Sequence, residues 1–130
     1  REAILMHAVP RLVFNDLIDN IQTSWVKMGK DGVLACLQAG ANDPGGTLMN
    51  ESITRAAGAS FGQEWPPATM EQVIKSIGRT PRMRTTLYDD VSLDRKRRAF
   101  EASDLRDLDN TRAGKHQRNK RLPDLIQVGR

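Results

Sequence analysis

The sequence ANDPGGT occupies residues 41–47, after a predicted helix that Gly40 ends. Asn, Asp, Pro and Gly are the usual residues of tight turns, and two glycines let a ligand approach the backbone closely. Thr47 can cap a following helix, whose free N–H groups suit a carboxylate or another anion. These residues fit a plain βα turn and a ligand-binding loop equally well. A P-loop is excluded because no Gly-Lys-Ser/Thr follows.

The segment just upstream, IDNIQTSWV at 18–26, predicts a strand with alternating faces. Thr23 and Trp25 share one face, and Gln22 and Ser24 lie on the other. In a barrel, polar side chains near the carboxyl end of a strand point toward the active site. In an ordinary half-exposed strand the same side chains point into water, so the alternation alone leaves both interpretations open.

The rest of the chain up to Tyr88 continues to alternate helical and extended patterns, which is typical of a parallel α/β fold. Pro10 predicts a kink or an end near residues 7–9 in the first helix. Thr69 and Gln72 have the spacing of a capping box, and Gly78 predicts a helix end. The predicted elements are a helix at 1–13, the strand at 18–26, a helix at 30–38, a helix at 48–57 capped by Thr47, a loop at 59–68, a helix at 69–77 and a strand at 82–88.

Charge divides the chain near residue 90. Residues 1–90 carry nine Lys/Arg against ten Asp/Glu, whereas residues 91–130 carry eleven against six. The net charge of +4 therefore comes from the last third. Few apolar residues interrupt this segment, so we predict a basic, disordered extension at 91–130 with one charged helix around 92–108.

Several kinds of site are excluded or disfavoured. Cys36 is the one cysteine, so the chain can form no internal disulfide and cannot hold an iron–sulfur cluster, and in a helix we expect it to be a small buried residue. His7 and His116 are far apart in sequence and suggest no metal site. No apolar run approaches the roughly 20 residues of a membrane span. The chain begins in mid-pattern without Met, and we expect it to be a piece of a longer polypeptide.

Three motifs together resemble one family. NIQTSWVKMG (20–29), GANDPGGTLMNESITRAAGAS (40–60) and IGRTPRMRTTLY (77–88) are similar, in order and spacing, to the C-terminal part of FO synthase, especially its tyrosine-dependent component. The resemblance covers about residues 3–88. It implies a radical S-adenosylmethionine (SAM) enzyme with a TIM-like (β/α) barrel, of which residues 1–90 would supply the last two β/α units.

The resemblance also implies an activity. A 4Fe-4S cluster, held by residues outside this chain, would act with SAM to generate a radical on L-tyrosine, and the 4-hydroxybenzyl group would be joined to 5-amino-6-ribitylaminouracil. A partner component would then close the deazaflavin ring. We expect a cytoplasmic enzyme of which these 130 residues alone are inactive.

Residues are assigned to this site only where they match the family motifs. The resemblance places Gln22, Ser24 and Trp25 on the seventh strand of the barrel. It places the other site residues at the end of the eighth strand. All are assigned to binding of substrate or SAM, and no catalytic residue and no metal ligand is assigned. The residues of the second group are Asn42, Asp43, Gly45, Gly46 and Thr47.

Two alternatives remain open. The related radical SAM cyclase of the futalosine route to menaquinone has similar segments, although the sequences GGTLM and RTTLY favour FO synthase. A small basic nucleic-acid-binding or interaction module would instead use residues 91–130. Phe100 is the one aromatic residue there that could stack on a base, which makes nucleic acid the weaker hypothesis.

Overall fold

The computed structural model describes residues 1–47, 51–59 and 61–105, and this part of the chain folds into five helices. No strand longer than a single bridge occurs among the described residues. Gln22 pairs in parallel with Asp43, and Arg84 pairs in antiparallel with Asp90. The helices are α1 (Glu2–Val13), α2 (Trp25–Gln38), α3 (Ile53–Ala56), α4 (Pro67–Ser76) and α5 (Leu93–Glu101).

The first helix is confirmed, but the expectation that it could end near residues 7–9 is wrong. Helix α1 continues through Pro10 to Val13. Although a proline inside a helix costs about 3 kcal/mol, one helical hydrogen bond and one tertiary contact hold this turn in place. The Phe14 N–H donates to the Pro10 carbonyl at 2.8 Å, and Arg11 Nε donates to the Gly40 carbonyl at 2.8 Å.

The core is built around α2. Its residues Val33 and Cys36 are fully buried, which confirms the expectation for the cysteine. The rings of Trp25 and Trp65 pack with centroids 5.7 Å apart and an interplanar angle of 58°. The buried apolar residues come from α2, α4 and the loops between them: Trp25, Val33, Cys36, Leu37, Ala41, Trp65 and Val73.

The predicted strand at 18–26 and the predicted helix start at residue 30 are both wrong. Ser24 is the N-cap of α2, which begins at Trp25 and bends at Gly29, where φ is +64°. The alternation nevertheless gave the faces correctly, since Thr23 is buried and Gln22 is exposed. Pairing stops after one bridge because the chain turns into α2 at once.

The predicted strand at 82–88 is also wrong. The Thr85 N–H donates to the Asp89 carbonyl at 2.8 Å, so the β-prone run folds into a turn. Tyr88 lies in the left-handed region, with φ at +66°, and the Arg84 guanidinium lies 4.2 Å from its ring centroid. A cation–π contact of this kind stabilises the turn and offsets the unfavourable φ of Tyr88.

The starts of two further helices differ from prediction. Of the predicted helix at 48–57, residues 48–50 lie outside the described residues, and α3 begins at Ile53 with Ser52, not Thr47, as N-cap. Helix α4 begins at Pro67, so the predicted capping box at Thr69 is wrong. Proline is favoured at the first helical position because its missing N–H would have had no partner there.

Helix α5 lies within the predicted range 92–108, and the Ser92 hydroxyl accepts from the Arg95 N–H at 3.3 Å. The Leu105 N–H donates to Glu64 Oε2 at 2.9 Å, so the chain after α5 returns to the loop before α4. Residues 106–130, most of the predicted basic extension, lie outside the described residues.

We expect Leu37→Ala to lower the free energy of unfolding by about 2–5 kcal/mol, because it removes a buried side chain and leaves a cavity. Leu37 is 2% exposed. Leu12→Ala is the matched control at an 82% exposed position, where a change within about 0.5 kcal/mol is expected. Urea unfolding followed by tryptophan fluorescence measures both. Equal losses for the two variants would contradict the described core.

Candidate functional site

The loop at 41–47 lies beside the segment at 20–23. The Thr23 N–H donates to the Asp43 carbonyl at 2.8 Å, and the Asn42 N–H donates to the Ile21 carbonyl at 3.1 Å. These two segments contain the polar side chains that we assigned to the site from the sequence. The structure therefore brings them together, although through a single parallel bridge and not through a regular sheet.

The side chain of Asn42 holds the loop to the preceding segment. Its Oδ1 accepts from the Ile21 N–H at 2.8 Å and from Arg11 Nη2 at 3.0 Å. Its Nδ2 donates to the Asp19 carbonyl at 2.9 Å. Both ends of the amide therefore have partners within the protein, and Asn42 fixes the position of the loop.

Asp43 is 5% exposed, and both of its carboxylate oxygens have partners. Oδ1 accepts from the Gly45 N–H at 2.8 Å, which closes a turn of the kind that aspartate often forms with its own backbone. Oδ2 accepts from Arg84, from Nε at 2.9 Å and also from Nη2. The charge of this buried carboxylate is therefore balanced by Arg84, as burial of an ion requires.

Gly45 and Gly46 give the loop its exposed edge. Gly45 has φ at +87°, a left-handed conformation that favours glycine through backbone strain, and a Cβ there would lie 3.1 Å from the end of the exposed Gln22 side chain. A Cβ on Gly46 would meet no atom within 4 Å. The Gly46 carbonyl accepts from Trp25 Nε1 at 2.9 Å, so the indole fixes the backbone of the loop at this residue. The space around the Gly46 Cα stays open.

Two clefts meet at this edge. The smaller, of about 230 Å³, lies between the loop and the start of α2. The larger, of about 750 Å³, lies between the loop, α4, the segment at 79–84 and α5. Gly45, Gly46 and Thr47 line both clefts, while Asn42 and Asp43 line the larger one. Three of the residues that we assigned from the sequence line only the smaller cleft: Gln22, Ser24 and Trp25.

Arginines that the sequence reasoning did not single out line the larger cleft. Arg84 is bound to Asp43, and Arg79 Nη1 donates to the Ala41 carbonyl at 2.8 Å. Arg82 Nε lies 2.6 Å from Asp90 Oδ1. That hydrogen bond, with the opposite charge, lowers the pKa of Asp90 and raises the pKa of Arg82. Both side chains are exposed to solvent, so the pair contributes little to stability.

One feature of the sequence could have indicated these arginines. Arg82 and Arg84 are two residues apart, which places both side chains on the same face of an extended segment. Apolar residues line other parts of the same cleft, among them Leu37, Met70 and Ile74. Basic groups beside an apolar surface suit an organic ligand that carries a carboxylate or another anionic group.

An iron–sulfur cluster does not fit the residues present. Cys36 is the one cysteine of the sequence, and it is fully buried under α1. Within 1–47, 51–59 and 61–105, no group of three or more His, Cys, Asp or Glu side chains could hold a metal ion. No helix in the same ranges is long and apolar enough to cross a membrane.

We expect Asp43→Asn to lower the free energy of unfolding by about 3 kcal/mol, because the neutral amide leaves the Arg84 charge without its partner. Asp90→Asn is the matched control, since it makes the same chemical change at the exposed partner of Arg82. Its urea midpoint is expected to match that of the unmodified chain. An Asp43→Asn midpoint that also stays unchanged would contradict the structural role of the buried pair.

Comparison with known proteins gives related sequences but no match among solved structures. A transferase of Methanopyrus kandleri, named 5-amino-6-(D-ribitylamino)uracil–L-tyrosine 4-hydroxyphenyl transferase, is 51% identical over 90 residues, which are 69% of this chain and 24% of the relative. The Methanocaldococcus jannaschii protein of the same name is 49% identical over 87 residues, 67% of this chain and 24% of the relative.

A third relative, the FO synthase of Nocardia farcinica, is 50% identical over 82 residues, 63% of this chain and 10% of that protein. The chain thus spans about a quarter or less of the length of these relatives. Residues 1–96 match the family described as CofH/MqnC C-terminal region. The resemblance to FO synthase carried by the three motifs is confirmed, and the chain belongs to the CofH/MqnC C-terminal region family.

Proposed function

We propose that this chain is part of a radical SAM transferase of deazaflavin (FO) biosynthesis, which joins the 4-hydroxybenzyl group of L-tyrosine to 5-amino-6-ribitylaminouracil. The observation that carries the proposal is about 50% identity, over 82 to 90 residues of this chain, to proteins named for that transfer or for FO synthesis. We place the enzyme in the cytoplasm, with a deazaflavin-forming component as its partner.

The barrel expected from the resemblance is part of this proposal. Residues 20–23, α2 and residues 41–43 form a minimal β-α-β arrangement, because the two extended segments pair in parallel with a helix between them. In a parallel pair, alternate main-chain groups point to opposite sides. The N–H and carbonyl of Gln22 point away from residues 41–43 and bond to no other described residue, which supports a further strand on that side.

The residues of the two clefts divide into two roles in the proposal. Asn42 and Asp43 act through the shape of the loop, since their side chains are already bound within the protein. Gly45, Gly46 and Thr47, with Gln22, Ser24 and Trp25 beside them, offer the surface on which substrate or SAM lies. All eight residues bind or position and take no part in hydrogen abstraction.

The cluster and SAM supply the radical chemistry of such an enzyme, and no described residue fits the cluster. On this proposal the residues that hold the cluster lie elsewhere in the enzyme. The alternative menaquinone cyclase is not separated by the family description, which names both CofH and MqnC. The names of the three relatives above favour the transferase.

A chimera tests the proposal. When residues 1–96 replace the matching region of the Methanocaldococcus jannaschii transferase, we expect the reconstituted enzyme to couple L-tyrosine to the aminouracil, because the exchanged regions share a family and half of their residues. Product is measured by liquid chromatography and mass spectrometry beside the unmodified relative. A folded, cluster-loaded chimera that forms no coupled product would contradict the proposal.

Gly46→Val in the same chimera tests the site itself. The new side chain would project into open space, so the chimera should fold normally while the shared edge of the two clefts is blocked and product falls by about tenfold or more. Ala68→Val, on the exposed side of α4, is the matched control and should keep full activity. Equal activity of the two variants would remove the loop from the binding site.

The isolated chain of 130 residues should be inactive. After anaerobic incubation with iron and sulfide we expect neither cluster absorbance nor SAM cleavage, because one buried cysteine cannot supply the three or four ligands of a cluster. The full-length Methanocaldococcus jannaschii relative, treated in the same way, is the control for reconstitution. Both signals from the isolated chain would refute this division of the enzyme.

A further inference from the structure

Eight large apolar side chains on α1 and the turn after it face outward. Their exposed fractions run from 41% to 82%, in a segment of fourteen residues. Monomeric proteins rarely expose apolar patches of this extent unless something binds there. This surface, called the α1 face below, consists of Leu5, Met6, Val9, Leu12, Val13, Phe14, Leu17 and Ile18.

The opposite side of α1 is already packed. Ile4 lies against the core, His7 Nδ1 lies 3.5 Å from Cys36 Sγ, and Arg11 reaches the Gly40 carbonyl. Helix α1 therefore packs against the core through one side, while its large apolar side chains at 5, 6, 9, 12 and 13 lie on the exposed sides. Apolar side chains that face away from the packed side are typical of a surface that binds a further partner.

We infer that the α1 face is the docking surface for the part of the enzyme that precedes this region in its relatives. The matched segment is 24% of the Methanopyrus kandleri transferase, and the family is defined as a C-terminal region, so most of such an enzyme lies before it. A docking partner of that size is large enough to cover both exposed sides of α1.

The position of the α1 face fits this occupant. Ile18 is four residues before Gln22, whose main-chain N–H and carbonyl point away from residues 41–43. A partner that adds a strand beside Gln22 would thus lie next to the α1 face and could cover it with apolar side chains. Arg11, the basic residue within residues 5–18, is turned inward, so Asp16 is the one exposed charged residue of this segment.

The inference depends only on the family membership of the chain. A failed activity test of the proposed function would therefore not contradict it.

Thiol labelling tests the inference. Leu12→Cys and Leu17→Cys are placed separately in the 130-residue chain and in a chimera in which residues 1–105 replace the matching region of the Methanocaldococcus jannaschii relative. Labelling of each site is followed by mass spectrometry, peptide by peptide. We expect labelling in the chimera to be about tenfold slower or more, because docking removes the side chain from solvent.

Ser103→Cys, at an exposed position beyond the family match, is the control and should react equally in both proteins. Equal rates at position 12 or 17 in the chain and the chimera would overturn the inference. So would a dimer of the 130-residue chain, seen by sedimentation, that Leu12→Asp abolishes, since a second copy would then be the occupant.

A chimera that fails to fold would not leave the inference untested. Hydroxyl-radical footprinting of the intact Methanocaldococcus jannaschii relative then gives the second measurement. Its residues that align with Leu12 and Leu17 should be protected in the native protein and become labelled in denaturant. Native labelling as fast as in denaturant would overturn the inference.

Discussion

At Asp43 three separate segments of the chain meet. Its carbonyl accepts from Thr23, its Oδ1 accepts from Gly45, and its Oδ2 accepts from Arg84, which is 41 residues further along the chain. A carboxylate that is 5% exposed needs such partners, because burial without them costs several kcal/mol. The loop, the extended segment before α2 and the turn after α4 are therefore fixed relative to one another by one residue.

The two clefts follow from this arrangement. With Asn42 and Asp43 bound inward, the next residues of the loop, Gly45 to Thr47, form the edge that both clefts share. Trp25 Nε1 supports that edge through the Gly46 carbonyl. Asn42 and Asp43 thus give the site its shape, and the two glycines that follow them at 45 and 46 give it its open surface.

Local patterns in the sequence correctly predicted the features that neighbouring residues determine. The exposure of Gln22 and the burial of Thr23, the start of α1 and the charged helix α5 were all readable from neighbouring residues. The strand at 18–26 was not, because its alternation continues into Trp25, where Ser24 has already begun a helix.

The course of the chain at 82–88 and the continuation of α1 past Pro10 both involve contacts between residues distant in sequence. Arg84 binds Asp43, and Arg11 holds the last turn of α1 against Gly40. No neighbouring residue in the sequence indicates these partners. The three family motifs identified the chain because each is a contiguous segment, whereas the site that they build depends on pairs that lie far apart.

A double-mutant cycle on Asp43 and Arg84 tests the central claim most directly. The unfolding free energies of Asp43→Asn, Arg84→Gln and the double variant are compared with that of the unmodified chain. If the pair holds the segments together, the double variant loses less than the sum of the single losses, by about 1 kcal/mol or more. Losses that add would show that the two side chains act independently, and the account of the site would be wrong.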